Sequence, residues 1–237
     1  MKIPILLYHS VDNDKSNLSL SVHEFEKQII FLKNRNFKTV NLDQIYNENH
    51  EKKVVITFDD GYKDLLTNVL PILKRYNFTA TCFLVSNLLG KKNIWDINKE
   101  NYIEKNLMNV VDIRNWVNNG MFIGSHTHNH LDLTQLNKKD LENELIKSKN
   151  FLEDSIGVKI NNFSYPYGKV NKVAYDKTRE IFKNAVTTNR GRFETTKHNN
   201  FLIPRIDMGK RLPFFKIFLK LETLYEDIKF KKNELYL

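Results

Sequence analysis

The chain has 237 residues, 41% hydrophobic and 27% charged, with a single cysteine. That length and apolar share suit one large domain with its own core, and exclude a collagen-like, wholly disordered or disulfide-stapled chain. Lys+Arg 37 against Asp+Glu 28 gives a formal charge of +9. Lysine dominates the cations, so the charge argues for diffuse attraction to anions and not for forked base or phosphate recognition; nucleic acid is not an expected partner.

Met1–His9 is too short and too polar at its end for a signal peptide, and it lacks a small-residue cleavage site. No window approaches the roughly 18 apolar residues of a membrane-spanning helix. The expectation is a cytoplasmic protein. Ile3–Tyr8 reads as a strand, then Val22–Asn34 as a helix behind a Ser21 cap, with Phe25, Ile29 and Leu32 on one face. Lys38–Asn41 is a short strand and Val54–Phe58 a continuous apolar one. Leu65–Tyr76 has helical spacing around Pro71. Thr79–Val85 is again a strand, and its Cys82 reads as a buried, inert thiol. Val110–Val117 is helical and Met121–Gly124 extended. Leu136–Ser155 is the longest helix, with Leu141, Leu145 and Leu152 facing inward. Phe163–Tyr165, Asn184–Thr188 and Leu202–Ile206 complete the strands, with a helix at Lys172–Phe182 between the first two.

Continuous apolar strands alternating with helices imply a mostly parallel sheet covered by helices. About seven such units without a linker point to an α/β fold, a closed or nearly closed β/α barrel in one domain; an open doubly wound sheet is the alternative. In both, chemistry belongs at the C-terminal ends of the strands.

Three blocks fall at such ends. Asp59-Asp60-Gly61 follows the strand Val54–Phe58, and two adjacent carboxylates there repel each other unless a cation or proton compensates them. Ser125-His126-Thr127-His128-Asn129-His130 follows Met121–Gly124 and holds three of the 7 histidines. Their i,i+4 spacing lets one helical turn aim His126 and His130 at a single point, with His128 pointing elsewhere. Phe163-Ser164-Tyr165-Pro166-Tyr167-Gly168 is the third block. Read alone, the first and third are ordinary turns and the second a surface histidine cluster. Together they place one carboxylate and two histidines in a facial set with open positions, and Gly61, Gly124 and Gly168 mark the three loops from a supply of only 8 glycines. Such a set also suits a non-haem iron oxygenase. The adjacent second carboxylate favours metal-assisted hydrolysis, because Asp59 supplies the base that a metal-bound water needs.

In this order and on this architecture the blocks resemble the polysaccharide deacetylase family, carbohydrate esterase family four. Thr57-Phe58-Asp59-Asp60-Gly61 is similar to its first motif, Gly124–His130 to its second and Tyr165-Pro166-Tyr167-Gly168 to its third. Leu6-Leu7-Tyr8-His9-Ser10-Val11 and Leu202-Ile203-Pro204-Arg205-Ile206 resemble strands of the branch that contains poly-N-acetylglucosamine deacetylases. The resemblance covers residues 1–208 and implies a distorted (β/α)7 barrel that removes N- or O-acetyl groups from sugars with a divalent metal, usually zinc. It implies Asp59 as base, Asp60, His126 and His130 as metal ligands, and the Tyr167 N–H as an oxyanion donor.

Two departures stand out. Ser164 occupies the place of an arginine that orients the base; Arg205, at a later strand end, is the candidate substitute, with a surface ion pair as the alternative. The late motif that supplies a general acid is absent. His198 lies in a polar stretch and is set aside; His9, at the end of the first strand, is the better candidate, a structural histidine being its alternative. No fourth motif is evident around Trp95-Asp96. The expected partner is an acetylated sugar or glycan. Competing functions are a metal-dependent hydrolase of another acyl group or a non-sugar amide, and a weakened barrel that binds glycan without cleaving it. Residues 209–237 read as a helical extension packed on the barrel. After Pro213 an amphipathic helix places Phe214, Phe218, Leu221 and Tyr225 on one face, with contact to an anionic membrane surface as a second use. The sequence carries no reading of the oligomeric state.

Overall fold

Short apolar runs lie side by side and parallel in the computed structural model, which describes residues 2–47, 51–100 and 102–228. The strands of the main sheet are β1 (Ile5–Tyr8), β2 (Lys38–Thr39), β3 (Lys53–Phe58), β4 (Thr81–Leu84), β5 (Phe122–Ser125), β6 (Asn162–Ser164), β7 (Asn184–Val186) and β8 (Ile206–Asp207). Their order is β7-β6-β5-β4-β3-β1-β8, with β2 beside the lower half of β3. The ring is completed by residues 203–207: Ile203 bridges Val186 at one edge, and Ile206 and Asp207 pair with Leu6 and Leu7 at the other. The fold is therefore the expected single-domain α/β barrel. The expected strand Leu202–Ile206 is interrupted at Pro204, which has no N–H to give to a ladder.

Alternation along the strands sorts side chains into two cores. Ile5, Val55, Phe83, Val186 and Ile203 fill the interior of the ring, while Leu6, Val54, Ile56, Phe58 and Cys82 face the helices. Those helices are α1 (Val22–Asn34), α2 (Leu70–Tyr76), α3 (Val110–Asn118), α4 (Lys138–Ile156), α5 (Lys172–Ile181) and α6 (Phe214–Glu222). Ser21 caps α1 by accepting the Glu24 N–H, Asn109 and Asp112 form a capping box on α3, and left-handed Gly157 ends α4. The expected helix Leu65–Tyr76 divides into a wide π turn, Leu65–Val69, followed by α2. Pro71 sits in the first turn of α2, where its missing N–H costs no helical bond.

α6 packs beside α1 with Ile217 and Leu221 buried. This corrects the expected face. Phe214 and Phe215 stay 69% and 62% exposed, although the Phe214 ring meets the edge of Phe31 and Arg35 lies over Phe218. Apolar residues surround more than half of this helix, so spacing alone did not choose between two stripes. The helix also stops at Thr223, which takes Tyr225 out of the expected register. No helix among the described residues is long and apolar enough to cross a membrane.

Candidate metal and catalytic centre

Period-two alternation carries from Val55 and Thr57 to Asp59, whose side chain enters the top of the ring. Asp60 follows at φ 75, a left-handed backbone that turns it away from its neighbour. The two carboxylates thus meet different partners.

Asp59 is buried and forms a forked ion pair with Arg205, Nη1 to Oδ1 at 2.8 Å and Nη2 to Oδ2 at 2.6 Å. Ser164 Oγ also donates to Oδ2 at 3.2 Å. The guanidinium has no exposed side-chain surface, and its remaining donors go to Thr187 O, Thr57 Oγ1 and Ser164 Oγ. Burial pushes the Asp59 carboxyl up, but the Arg205 charge, helped by His126 and His9, outweighs it and holds the group below the usual carboxylate range. The sequence alternative of a surface ion pair is excluded by this burial.

Asp60 Oδ1 lies 3.3 Å from His130 Nε2 and 3.5 Å from His126 Nε2, and all three residues are buried. The three donor atoms lie within 4.8 Å of one another. Two ligands bound about 2.1 Å from one ion at a tetrahedral angle are about 3.4 Å apart, so the spacing suits a divalent metal. Asp60 Oδ1 has no hydrogen-bond partner among the described residues. A buried carboxylate oxygen without a donor is costly in a bare protein and apt for an ion. Burial also works against its charge, yet the His130, His9 and His126 imidazoles hold its pKa well below the usual range. His126 Nδ1 faces the Ser164 carbonyl at 2.7 Å, which places its proton there and leaves the Nε2 lone pair toward Asp60. Burial pushes this imidazole down to about 4, so it is neutral at pH 7.

The histidines do not converge through a helical turn, which corrects the expectation from their spacing. β5 ends at Ser125, and residues 126–130 form a loop with Thr127 at φ 67 and His130 at φ 59. Thr127 Oγ1 accepts the His130 N–H, and the Glu144 carboxylate of α4 accepts those of His128 and Asn129. Loop N–H groups that a helix would satisfy internally are satisfied here by a helix distant in sequence. His128 points outward, its Nδ1 2.8 Å from Ser86 Oγ.

Tyr167 also has a left-handed backbone, φ 59, and its ring edge meets His130 with centroids 4.8 Å apart. Gly168 is required beside it: at φ 68, a Cβ would fall 1.9 Å from Thr188 Oγ1. His9 is half-buried directly after β1, on the same rim, close enough to lower both aspartates electrostatically. His198 is at the opposite end of the ring, accepting the Glu194 N–H and stacked on Phe193.

Sequence reasoning missed the wall of the site. Trp95 stacks on His130 with centroids 4.5 Å apart, and Asp96 accepts a hydrogen bond from Tyr167 Oη at 3.2 Å. The available signal was one of only 2 tryptophans in a long connection, from Leu84 to Val110, without regular periodicity.

The family model described as polysaccharide deacetylase matches residues 46–185, which contain both aspartates, both histidines and Tyr167. The chain belongs to the polysaccharide deacetylase family. YxkH of Bacillus subtilis, named after the same family, is 30% identical over 197 residues, covering 80% of this chain and 66% of YxkH. The poly-beta-1,6-N-acetyl-D-glucosamine N-deacetylase of Staphylococcus epidermidis is 28% identical over 207 residues, covering 80% of this chain and 68% of that protein. The chain thus spans about two thirds of the length of these relatives. Streptococcus pyogenes deacetylase PplD, solved with acetate, has the same fold: TM-score 0.80 at 23% identity, covering 94% of this chain and 99% of that one.

Proposed function

We propose that this member of the family is a zinc-dependent hydrolase that removes N-acetyl, or O-acetyl, groups from a sugar polymer or its precursor. The carrying observation is the convergence of Asp60, His126 and His130 on one point beside the forked Asp59–Arg205 pair. Two imidazoles and one carboxylate fit zinc, and such an ion supplies Lewis acidity to an acyl oxygen and acidifies a bound water.

The chain's own groups divide the remaining work. Asp59 takes the water proton, and Arg205 with Ser164 keeps that carboxylate ionised and fixed in orientation. The Tyr167 N–H serves the developing oxyanion from a backbone held in place by Gly168. His9 delivers the proton to the departing amine or alkoxide. The exposed Tyr167 ring, beside the Trp95–His130 stack, offers an apolar surface on which a pyranose ring can lie. Arg205 fills the role of the arginine missing at Ser164, so one of the two departures that would favour a non-hydrolytic glycan-binding barrel is accounted for.

N-acetylglucosamine oligomers with β-1,6 linkage are the first substrates to try, given the activity named for the staphylococcal relative. Metal-loaded protein should release acetate from them. Asp59→Asn should lower turnover by about 10²–10⁴-fold with metal still bound. Loss of metal in that variant would make Asp59 a ligand and not the base. A metal-replete wild-type protein that releases no acetate from a broad acetylated panel would favour the binding module.

The outward face of α6 suits contact with an anionic membrane surface. Lys210, Arg211 and Lys216 are exposed around the rings of Phe214 and Phe215, while Lys220 turns inward to Glu226.

A further inference from the structure

The two histidines of the centre are held by different means. His126 has the usual arrangement, its Nδ1–H bonded to a carbonyl. His130 does not: its Nδ1 is buried and has no hydrogen-bond partner among the described residues. What fixes its ring is aromatic. Trp95 lies against one face, planes 24° apart, and Tyr167 presents itself at 81°. Trp95 is itself supported from behind by the buried cluster of Tyr62, Val85, Leu88 and Leu107. The turn that carries it is tied down on both sides. Asp96 joins Tyr167 Oη and Lys99, while Asn93 Oδ1 accepts the Lys105 N–H. The half-buried Lys105 then pairs with Asp12, Asp14 and Asp64.

We infer that Trp95 is a positioning residue for the metal centre, fixing the His130 imidazole plane by stacking in place of a hydrogen bond. The inference rests on the reading of Asp60, His126 and His130 as ligands. A ligand histidine without this support would rotate about its side-chain bonds, and the ordering it then required on binding would weaken the ion's hold.

The test is metal affinity, read by competition between apoprotein and a chromophoric zinc chelator, with cobalt(II) absorption as a report on ligand geometry. Trp95→Ala and Trp95→Leu should each weaken zinc binding about 10–100-fold and alter the cobalt spectrum; Trp95→Phe, which keeps an aromatic face, should recover most of the affinity. Apoprotein melting curves identify any variant that fails to fold, and Trp95→Leu retains apolar bulk where alanine would leave a gap. Wild-type affinity in a folded Trp95→Leu variant overturns the inference and leaves the metal site intact. A folded wild-type protein that binds no divalent ion overturns the site and the inference together.

Discussion

Replacing Arg205 by methionine isolates the buried charge pair. The substitution keeps an unbranched apolar chain but strips Asp59 of both forked hydrogen bonds, and leaves Thr187 O, Thr57 Oγ1 and Ser164 Oγ without a donor. Removing one partner of a buried ion pair costs about 3–5 kcal/mol, because the other charge is left uncompensated. For a chain of this size that corresponds to a Tm lower by about 6–20 °C. In the wild-type protein the folded-state pKa of Asp59 is depressed. Its stabilising contribution is therefore present above the unfolded pKa and lost as pH falls through the folded one. In Arg205→Met the largest opposing charge is gone and burial is countered only by the Ser164 hydrogen bond, His126 and His9, so the folded pKa rises and Asp59 becomes a penalty that grows with pH. The gap between the two proteins should thus narrow as pH falls from 7 towards 4, and residual acetate release by the variant should increase with pH as Asp59 ionises. Thermal melts over that range, together with the double variant Asp59→Asn/Arg205→Met, measure this directly. The double variant should recover about 1–3 kcal/mol relative to additivity. Simple additivity, or a single-variant loss below 1 kcal/mol, would refute the reasoning.

Two other outcomes follow from the geometry. Gly168→Ala should lose about 2–5 kcal/mol, from left-handed strain and the close approach to Thr188, and acetate release should fall as Tyr167 shifts. Gly120→Ala, at φ 81 with nothing within 4 Å, is the control: it carries the strain alone, and equal melting losses in the two variants would remove the clash from the explanation. For α6, the protein should co-sediment with phosphatidylglycerol-containing vesicles at low salt, less at high salt, and Phe214→Ser/Phe215→Ser should abolish sedimentation. No sedimentation at either salt removes the membrane contact.

Much of the site was legible because strand periodicity is local. Asp59 follows directly on a continuous apolar strand, so its place at a C-terminal strand end, where chemistry gathers in such folds, follows from residues 54–59 alone. The loop 126–130 was misread for the opposite reason. Its shape depends on Glu144, a helix away, and i,i+4 spacing is the same whether or not the intervening backbone is helical. Arg205 could be nominated from its strand end, but its pairing joins residues 146 positions apart and cannot be seen in either segment. Trp95 was invisible because stacking on a histidine leaves no periodic trace in an irregular segment. On α6, apolar residues on two sides left the buried stripe to be chosen by Phe31 and its neighbours on α1.

The segment 203–207 that joins the two edges of the sheet has a further consequence for how the protein comes into being. During synthesis Asp59 leaves the ribosome long before Arg205, and until then its carboxylate has no guanidinium to pair with. The residue that neutralises it arrives on the same few residues that seal the barrel. Closure of the sheet and neutralisation of Asp59 therefore depend on the same segment. A chain stopped before Pro204 would have the aspartates, the histidines and most of the sheet, yet would lack the guanidinium that neutralises Asp59. The last strand thus brings the closing hydrogen bonds of the sheet and the cation of the Asp59 pair on one short segment.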